Sequence, residues 1–390
     1  MEVLGGEDLM IYDTSVNYQN RANAYGVQGP KGWVMTNVYP PFVAFFMIPF
    51  SLFPYDSARY VFFLFSILCN IFTIPLLFSN RSRDRRKELI LIGLFATFIF
   101  YPHYRSLNMG QINSIIFLFC VLTLFFIRKD RLWLAGLFLA LASHIKLFPL
   151  ILIPFFAIKK QYKLIGTTIV FIVLIIALTA IFLDIKLFRI FFKEVLPREA
   201  FVGAFYRSQG FLGFFSRLLT ENRFVQSIGH YPNLAYFLTV ASSVIVIFAA
   251  VLCTRRKPDL GTFRYEIEYG MYFVVTLLIL AKSWEHFAIF LLFSYLYLFE
   301  FLVYQRYENS RRQLVLFFIA LSFCIWTFLI TAESEYIKFL SLDNFLVTFI
   351  FSAKFLATLI LLICNFWILH KKQEDALLVQ TDSQSSKLFK

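Results

Sequence analysis

The chain is poor in charge: Asp, Glu, Lys and Arg make up 16% of its 390 residues, whereas about 25% is usual for soluble proteins. Its five cysteines lie inside apolar runs and lack the paired spacing of a zinc site or a disulfide framework. No polar stretch is long enough to form a second domain. These absences argue against a soluble enzyme, a zinc protein and a disulfide-stabilised domain.

The chain is rich in apolar residues, which make up 59% of the sequence and include 52 Phe. Several apolar runs approach the ~20 residues that a membrane-spanning helix needs. The sequence therefore predicts an all-α, polytopic bundle of transmembrane helices. The net charge of +13 fits basic cytoplasmic loops better than a nucleic-acid interface, because no polar surface interleaves basic and aromatic residues.

The basic connectors between apolar runs indicate a topology. All of them can be cytoplasmic if the run 132–158 bends at His144–Lys146, since a straight helix of that length would reach ~40 Å in a ~30 Å hydrocarbon core. The connectors are 81–87, 128–131, 159–163, 255–264, 306–312 and 371–372.

The same topology divides the chain into three parts. Residues 1–37 form an extracytoplasmic loop, 38–370 the bundle and 371–390 a cytoplasmic tail. The acidic start, with no apolar run before it, predicts that a preceding membrane helix is missing from this chain. Either the run 38–54 or the run 88–102 is then expected not to cross fully, and its prolines make 38–54 the better candidate for a broken or re-entrant element. Within the outer loop 184–231, Phe and basic residues alternate at helical spacing and predict an interfacial amphipathic helix over 186–193.

Polar motifs gather on the outer face in this topology. They are Glu7-Asp8-Leu9, Asn108-Met109-Gly110-Gln111, His144-Ile145-Lys146, Arg207-Ser208-Gln209-Gly210 and Ser283-Trp284-Glu285-His286. Acids, amides, histidines and a lysine at one rim of a helical bundle predict a site.

Two of the motifs place charge in an apolar setting, where it costs ~2.5–3.5 kcal/mol at a helix centre. Trp284, Glu285 and His286 crowd one helix junction, for which the alternative is a helix cap with Trp in the interfacial aromatic belt. Lys146 lies in the middle of the longest apolar run. It is either a phosphate partner at a helix bend or a lysine that reaches along lipid to water.

The remaining motifs are weaker. Gln111 opens a helix and could hold a sugar hydroxyl or an anion, or simply belong to a cap. Arg207 and Gln209 either bind a phosphate or sugar, or form a surface turn. Asp8 and Asp13 precede the aromatic-proline stretch. One of them could be a general base for a sugar hydroxyl, or both could be solvated loop residues.

In their order along the chain, these motifs resemble glycosyltransferase family 87, integral membrane enzymes of the GT-C fold. The matching stretches are Asp8-Leu9-x-x-Tyr12, Tyr39-Pro40-Pro41-Phe42, Gly110-Gln111-x-Asn113, Lys146-x-x-Pro149, Ser208-Gln209-x-x-x-Gly213-x-x-x-Arg217 and Ser283-Trp284-Glu285-His286. The resemblance implies inverting sugar transfer from a polyprenyl-phosphate donor, without a nucleotide sugar. It implies that the catalytic acid is Asp8 and that the family histidine is His286.

Candidate roles follow from this chemistry. A polyprenyl phosphate is a good leaving group, so a carboxylate base and cationic help for the departing phosphate suffice. Asp8 and His286 are the predicted catalytic residues. The predicted substrate-binding residues are Gln111, Asn113, Lys146, Arg207, Gln209, Trp284 and Glu285. No DxD pair lies near the site, so no metal is required, although a divalent ion stays an open alternative.

The sequence thus predicts a multi-pass glycosyltransferase of the cell membrane. The expected sugar is a hexose, mannose first, and the acceptor is lipid-linked or part of the cell envelope. The expected partners are membrane lipids, the donor and the acceptor, with no nucleic acid and no cofactor. The alternatives are a transporter or flippase of lipid-linked glycans, a polymerase or ligase, and a non-catalytic scaffold. The flippase would predict repeated halves with charges at the midplane, which the sequence does not clearly show.

Overall fold

The computed structural model describes residues 39–199, 203–222, 224–255, 262–304, 309–329 and 344–370, and the regular elements in these ranges are all helices. They are α1 Phe42–Ser51, α2 Tyr55–Leu77, α3 Arg83–Ile99, α4 Tyr101–Asn108, α5 Asn113–Arg128, α6 Leu132–Ile145, α7 Leu152–Ile158, α8 Tyr162–Phe182, α9 Lys186–Ile190, α10 Leu196–Glu199, α11 Phe211–Leu219, α12 Pro232–Thr254, α13 Phe263–Ile279, α14 Leu291–Tyr304, α15 Asn309–Phe328 and α16 Asn344–His370. The all-α prediction is confirmed.

Six helical segments of the described chain are long and apolar enough to cross a membrane. They are Tyr55–Leu77, Tyr162–Phe182, Pro232–Thr254, Glu285–Tyr304, Arg311–Phe328 and Val347–His370. The prediction of a multi-pass membrane protein is confirmed. Helices α8 and α12 leave most of their apolar side chains exposed, as expected for helices that face lipid.

Helix α13 lies at the centre of the bundle, where α14, α16, α12 and α7 contact it. Each of its residues from Phe263 to Leu278 is buried. Its length of ~25 Å separates two polar regions. The charged residues at the start of α13 define one end of the bundle, and the residues that follow Ile279 define the other.

The first of these regions is an ion network, and we call its end of the bundle the network end. Glu266 on α13 accepts hydrogen bonds from Arg81 and from Arg128, the latter at 2.5 Å. Glu300 pairs with Arg81 at 2.6 Å, and Glu268 pairs with Lys159 at 2.5 Å. The basic connectors 81–87, 128–131 and 159–163 therefore meet at one end of the bundle, as the topology predicted.

The bend predicted within 132–158 is also confirmed. Helix α6 ends at Ile145, Lys146 is extended, and a 3₁₀ turn at Phe148–Ile151 leads into α7. The chain thus leaves the network end after Arg128, turns at Lys146 and returns to the network at Lys159. Lys146 lies at the opposite end, which we call the site end.

Two further elements lie near the site end. Helix α1 has 10 residues and spans ~15 Å, too short to cross the membrane, as expected for a broken element. The stretch 186–199 is helical throughout, with a π-helical turn at Phe191–Val195. Its buried residues Leu187 and Phe191 pack on the protein, while Lys193 is exposed. Its predicted contact with lipid headgroups stays a prediction.

Candidate functional site

Lys146 is the centre of a cluster at the site end. Because α6 ends one residue earlier, its side chain is directed to the start of α5. Lys146 Nζ donates hydrogen bonds to Asn113 Oδ1 at 2.8 Å and to Gln111 Oε1 at 3.3 Å. The Tyr39 hydroxyl donates to the same Gln111 oxygen at 2.8 Å. The ammonium lies 4.2 Å from the centre of the Phe287 ring. Sequence positions more than 200 residues apart thus meet around one cation.

The partners of this cation are neutral. Lys146 makes its hydrogen bonds to two amide oxygens, whereas the lysine at the network end is bonded to a carboxylate. Burial lowers the pKa of the Lys146 ammonium to about 7, because no carboxylate offsets the loss of hydration. Such a cation can supply charge to an anionic ligand.

Asn113 connects this cluster to His286. Its Nδ2 donates to the carbonyl of His286 at 2.9 Å and to Ser106 Oγ at 3.3 Å. Since Asn113 is completely buried, both bonds are shielded from water, and the bond to the carbonyl fixes the backbone at His286. The imidazole packs between the Trp284 and Phe287 rings, at 5.7 and 4.7 Å.

The outer-loop motif and the 283–286 motif lie side by side. Ser208 and Trp284 form an antiparallel bridge, and the Gln209 N–H donates to the Ser283 carbonyl at 2.7 Å. Gly210 allows this approach, because a Cβ there would lie 2.8 Å from the Leu280 carbonyl oxygen. The structure therefore brings the two motifs together at the site end, and their shared role in a site stays a prediction.

The side chain of Gln209 is occupied within the protein. Its Nε2 donates to the carbonyls of Tyr206 and Phe351, at 2.6 and 2.8 Å, and its Oε1 accepts from the Phe355 N–H at 2.9 Å. In this conformation the amide holds the loop to α16, and its predicted contact with a sugar stays a prediction. The Trp284 Nε1, by contrast, is buried with no hydrogen-bond partner in the described residues, and its predicted contact with a substrate stays a prediction.

Several cations lie near His286. Lys146 and Lys282 lie over the two rings that pack on its imidazole, 4.2 Å from the centre of Phe287 and 4.9 Å from that of Trp284, and the charges of Arg105 and Arg207 also act on it. Arg207 lies over the Tyr206 ring at 5.2 Å, and neither it nor Arg105 makes an ion pair with the described residues. Sequence reasoning missed Arg105, which α4 carries to the site. The available signal was an arginine within the stretch 103–111, which lies between two apolar runs.

Glu285 forms a buried ion pair that sequence reasoning also missed. Its Oε1 lies 2.6 Å from Lys354 Nζ on α16. The available signal was the position of Lys354 alone within the apolar run 345–369, because a charge inside a spanning segment is costly unless paired. The motif at 283–286 therefore depends on Lys354, which follows Glu285 by 69 residues in the chain.

The predicted base, Asp8, and its alternative, Asp13, lie outside the described residues. Their roles stay predictions. Within the described ranges, no group of three or more His, Cys, Asp or Glu side chains could hold a metal ion.

Comparison with known proteins adds a family to this geometry. The sequence model of glycosyltransferase family 87 matches residues 37–281, which include Gln111, Asn113, Lys146, Arg207 and Gln209 but neither Asp8 nor 284–286. GPI mannosyltransferase 1 of Kluyveromyces lactis is 29% identical over 115 residues, which are 29% of this chain and 27% of that protein. The namesake from Candida albicans is 24% identical over 148 residues, 36% of each chain. The alignments thus span about a third or less of these curated relatives.

Proposed function

Because the chain belongs to glycosyltransferase family 87, whose sequence model covers residues 37–281, we propose that it transfers a hexose from a polyprenyl-phosphate sugar. Mannose is the first choice, since the relatives described above are named mannosyltransferases. The acceptor is a lipid-linked or cell-envelope glycan, and the reaction takes place in the cell membrane at its extracytoplasmic face.

One observation carries the proposal. At the site end, Lys146 is held by two amide oxygens rather than by a carboxylate, and further cations surround His286. At the network end, carboxylates match the basic side chains. A buried cation with neutral partners favours an anionic ligand, and the phosphate of the donor supplies that charge.

The reaction follows from these residues. The Asp8 carboxylate accepts the proton of the acceptor hydroxyl, and the acceptor oxygen attacks C1 of the sugar. The bond from C1 to the phosphate oxygen breaks with inversion, and the polyprenyl phosphate leaves with the electron pair. His286, Lys146 and Arg207 stabilise the charge that develops on the phosphate.

The other site residues orient the two substrates. Gln111 and Asn113 hold the Lys146 ammonium and face the donor, while the Trp284 N–H donates to a sugar oxygen. Glu285 holds the segment 283–286 in place, and Gln209 holds the loop that carries Arg207. These roles require no metal ion.

The test is a transfer assay with the purified full-length protein in detergent. Radiolabelled polyprenyl-phosphate mannose and polyprenyl-phosphate glucose are supplied separately, with a native membrane-lipid extract as acceptor. We expect label to move from the mannose donor to a new lipid. Transfer from neither donor would overturn the proposal, and transfer from glucose alone would overturn the choice of sugar.

The base is tested in the same assay. Asp8→Asn keeps the size of the side chain but removes the basic oxygen, so transfer should be abolished while the protein still expresses and inserts. Asp13→Asn is the matched control and should keep its activity. Full activity in Asp8→Asn, with loss in Asp13→Asn, would assign the base to Asp13.

A further inference from the structure

A buried ion pair joins the last described helix to the site. The side chains of Lys354 and Glu285 are 0% and 2% exposed, and Nζ lies 2.6 Å from Oε1. The Lys354 ammonium also lies 4.6 Å from the centre of the Tyr101 ring on α4 and 5.6 Å from that of Trp326 on α15. Three helices thus enclose this one cation.

Residues 351–355 of α16 also contact the loop that carries Arg207 and Gln209. The Phe351 carbonyl and the Phe355 N–H bind the amide of Gln209, and Ser352 Oγ accepts from Arg217 Nε at 3.3 Å. Residues 351–355 therefore contact both the loop that carries Arg207 and the segment that carries His286. This stretch lies outside the residues matched by the family model.

An ion pair at this place fixes the position of its two side chains, which apolar packing would do less well. Burying two charges is favourable only when the geometry is well fixed, and apolar residues of similar volume are often at least as stabilising. A short ion pair does, however, fix the position of its partners. Glu285 directly precedes His286, whose carbonyl is held from the other side by Asn113.

We propose that Lys354 is a positioning residue for sugar transfer. Through Glu285 it fixes the His286 imidazole, together with the Asn113 bond, so that the ring faces the departing phosphate. The inference rests on the proposed function, since it assumes that His286 acts on a polyprenyl phosphate. It adds α16 to the catalytic machinery.

The test compares four variants with the wild-type protein: Lys354→Met, Lys354→Arg, Glu285→Gln and the double variant Lys354→Met with Glu285→Gln. For each one, kcat, the donor KM and the melting temperature in detergent are measured. Lys354→Met removes the cation bonded to the buried Glu285 carboxylate, so both the melting temperature and kcat should fall. Lys354→Arg keeps a cation and should retain most of kcat.

The double variant separates positioning from stability. It lacks both charges of the Lys354–Glu285 pair, so its melting temperature should return towards the wild-type value. Its kcat should stay about 100-fold low, the loss expected for a misplacement of ~1 Å in a catalytic group, while the donor KM changes less than about threefold, since Lys146 is intact. Recovery of both the melting temperature and kcat would overturn the inference and leave the pair a structural contact.

A binding measurement keeps this outcome apart from failure of the proposed function. The same proteins are titrated with polyprenyl phosphate, the leaving group itself. We expect affinity about tenfold weaker in the double variant than in the wild-type protein, because the histidine no longer faces the phosphate dianion. Absence of sugar transfer by the wild-type protein would overturn the proposed function. Equal affinity of the wild-type protein and the double variant for polyprenyl phosphate would overturn the positioning role of Lys354, whatever the transfer assay shows.

Discussion

The two ends of α13 differ in how they compensate buried charge. At the network end, Arg81 and Arg128 both bind the Glu266 carboxylate, so each of these guanidinium groups has a carboxylate partner. At the site end, Lys146 is bonded to amides, and Arg217 is completely buried with backbone carbonyls and one serine as partners. The network end fastens helices together. At the site end, apart from the Lys354–Glu285 pair, Lys146 and Arg217 hold buried positive charge with neutral partners among the described residues, as the proposed phosphate ligand requires.

The largest expected effect on stability is at the network end. Glu266→Ala removes the shared partner of Arg81 and Arg128 and leaves buried charge uncompensated, which costs about 3–5 kcal/mol. We expect a large fall in the melting temperature in detergent and little folded protein. Glu88→Ala is the control, since Glu88 is exposed at the same end and bonds only to Tyr304 in the described residues. Equal melting temperatures in the two variants would show that the network does not stabilise the fold.

The next largest effect is on donor binding at the site end, where a substitution should leave stability intact. Lys146→Met removes a cation that burial already disfavours, so the melting temperature should stay unchanged or rise. Donor binding loses a charge-assisted contact of about 1.5–3 kcal/mol, which raises the donor KM by about 10- to 100-fold. Lys163→Met, an exposed lysine of the network end, is the control. An unchanged donor KM in Lys146→Met would reject the phosphate role.

A third substitution tests the contact between the Arg207 loop and the segment 283–286 without replacing a charged residue. A Cβ at Gly213 would lie 2.4 Å from the Ser208 carbonyl oxygen, so Gly213→Ala must shift the loop that bridges to Trp284. We expect a loss of about 1–3 kcal/mol in stability and about a tenfold fall in transfer. The control is Gly166→Ala, where nothing lies within 4 Å and the helix should be slightly stabilised. Normal transfer by Gly213→Ala would mean that the loop position does not matter.

The contrast between the ends explains what the sequence could predict. The positive-inside rule predicted that the basic connectors lie at one end of the bundle, and the length of the run 132–158 predicted the bend at Lys146. These two features could be predicted because they depend only on composition and length. Pairing depends on helix rotation, so the partners Glu266 and Glu300 were not predicted. For the same reason Lys354 was missed, and the bonds of the Gln209 amide to backbone groups were not predicted.

The smallest expected effect is a pH dependence of the unmatched cation. The pKa of Lys146 is lowered to about 7, so the free site carries the ammonium below pH 7 and the neutral amine above it. The donor phosphodiester keeps one negative charge throughout this range. The value of kcat/KM for the donor reports the free enzyme, so between pH 6 and pH 8 it should fall by about tenfold as the protonated fraction falls. Lys146→Arg should remove this fall, because a guanidinium stays charged. The same fall in both proteins would assign the titration to another group, and no fall in the wild-type protein would mean that Lys146 keeps its charge to higher pH.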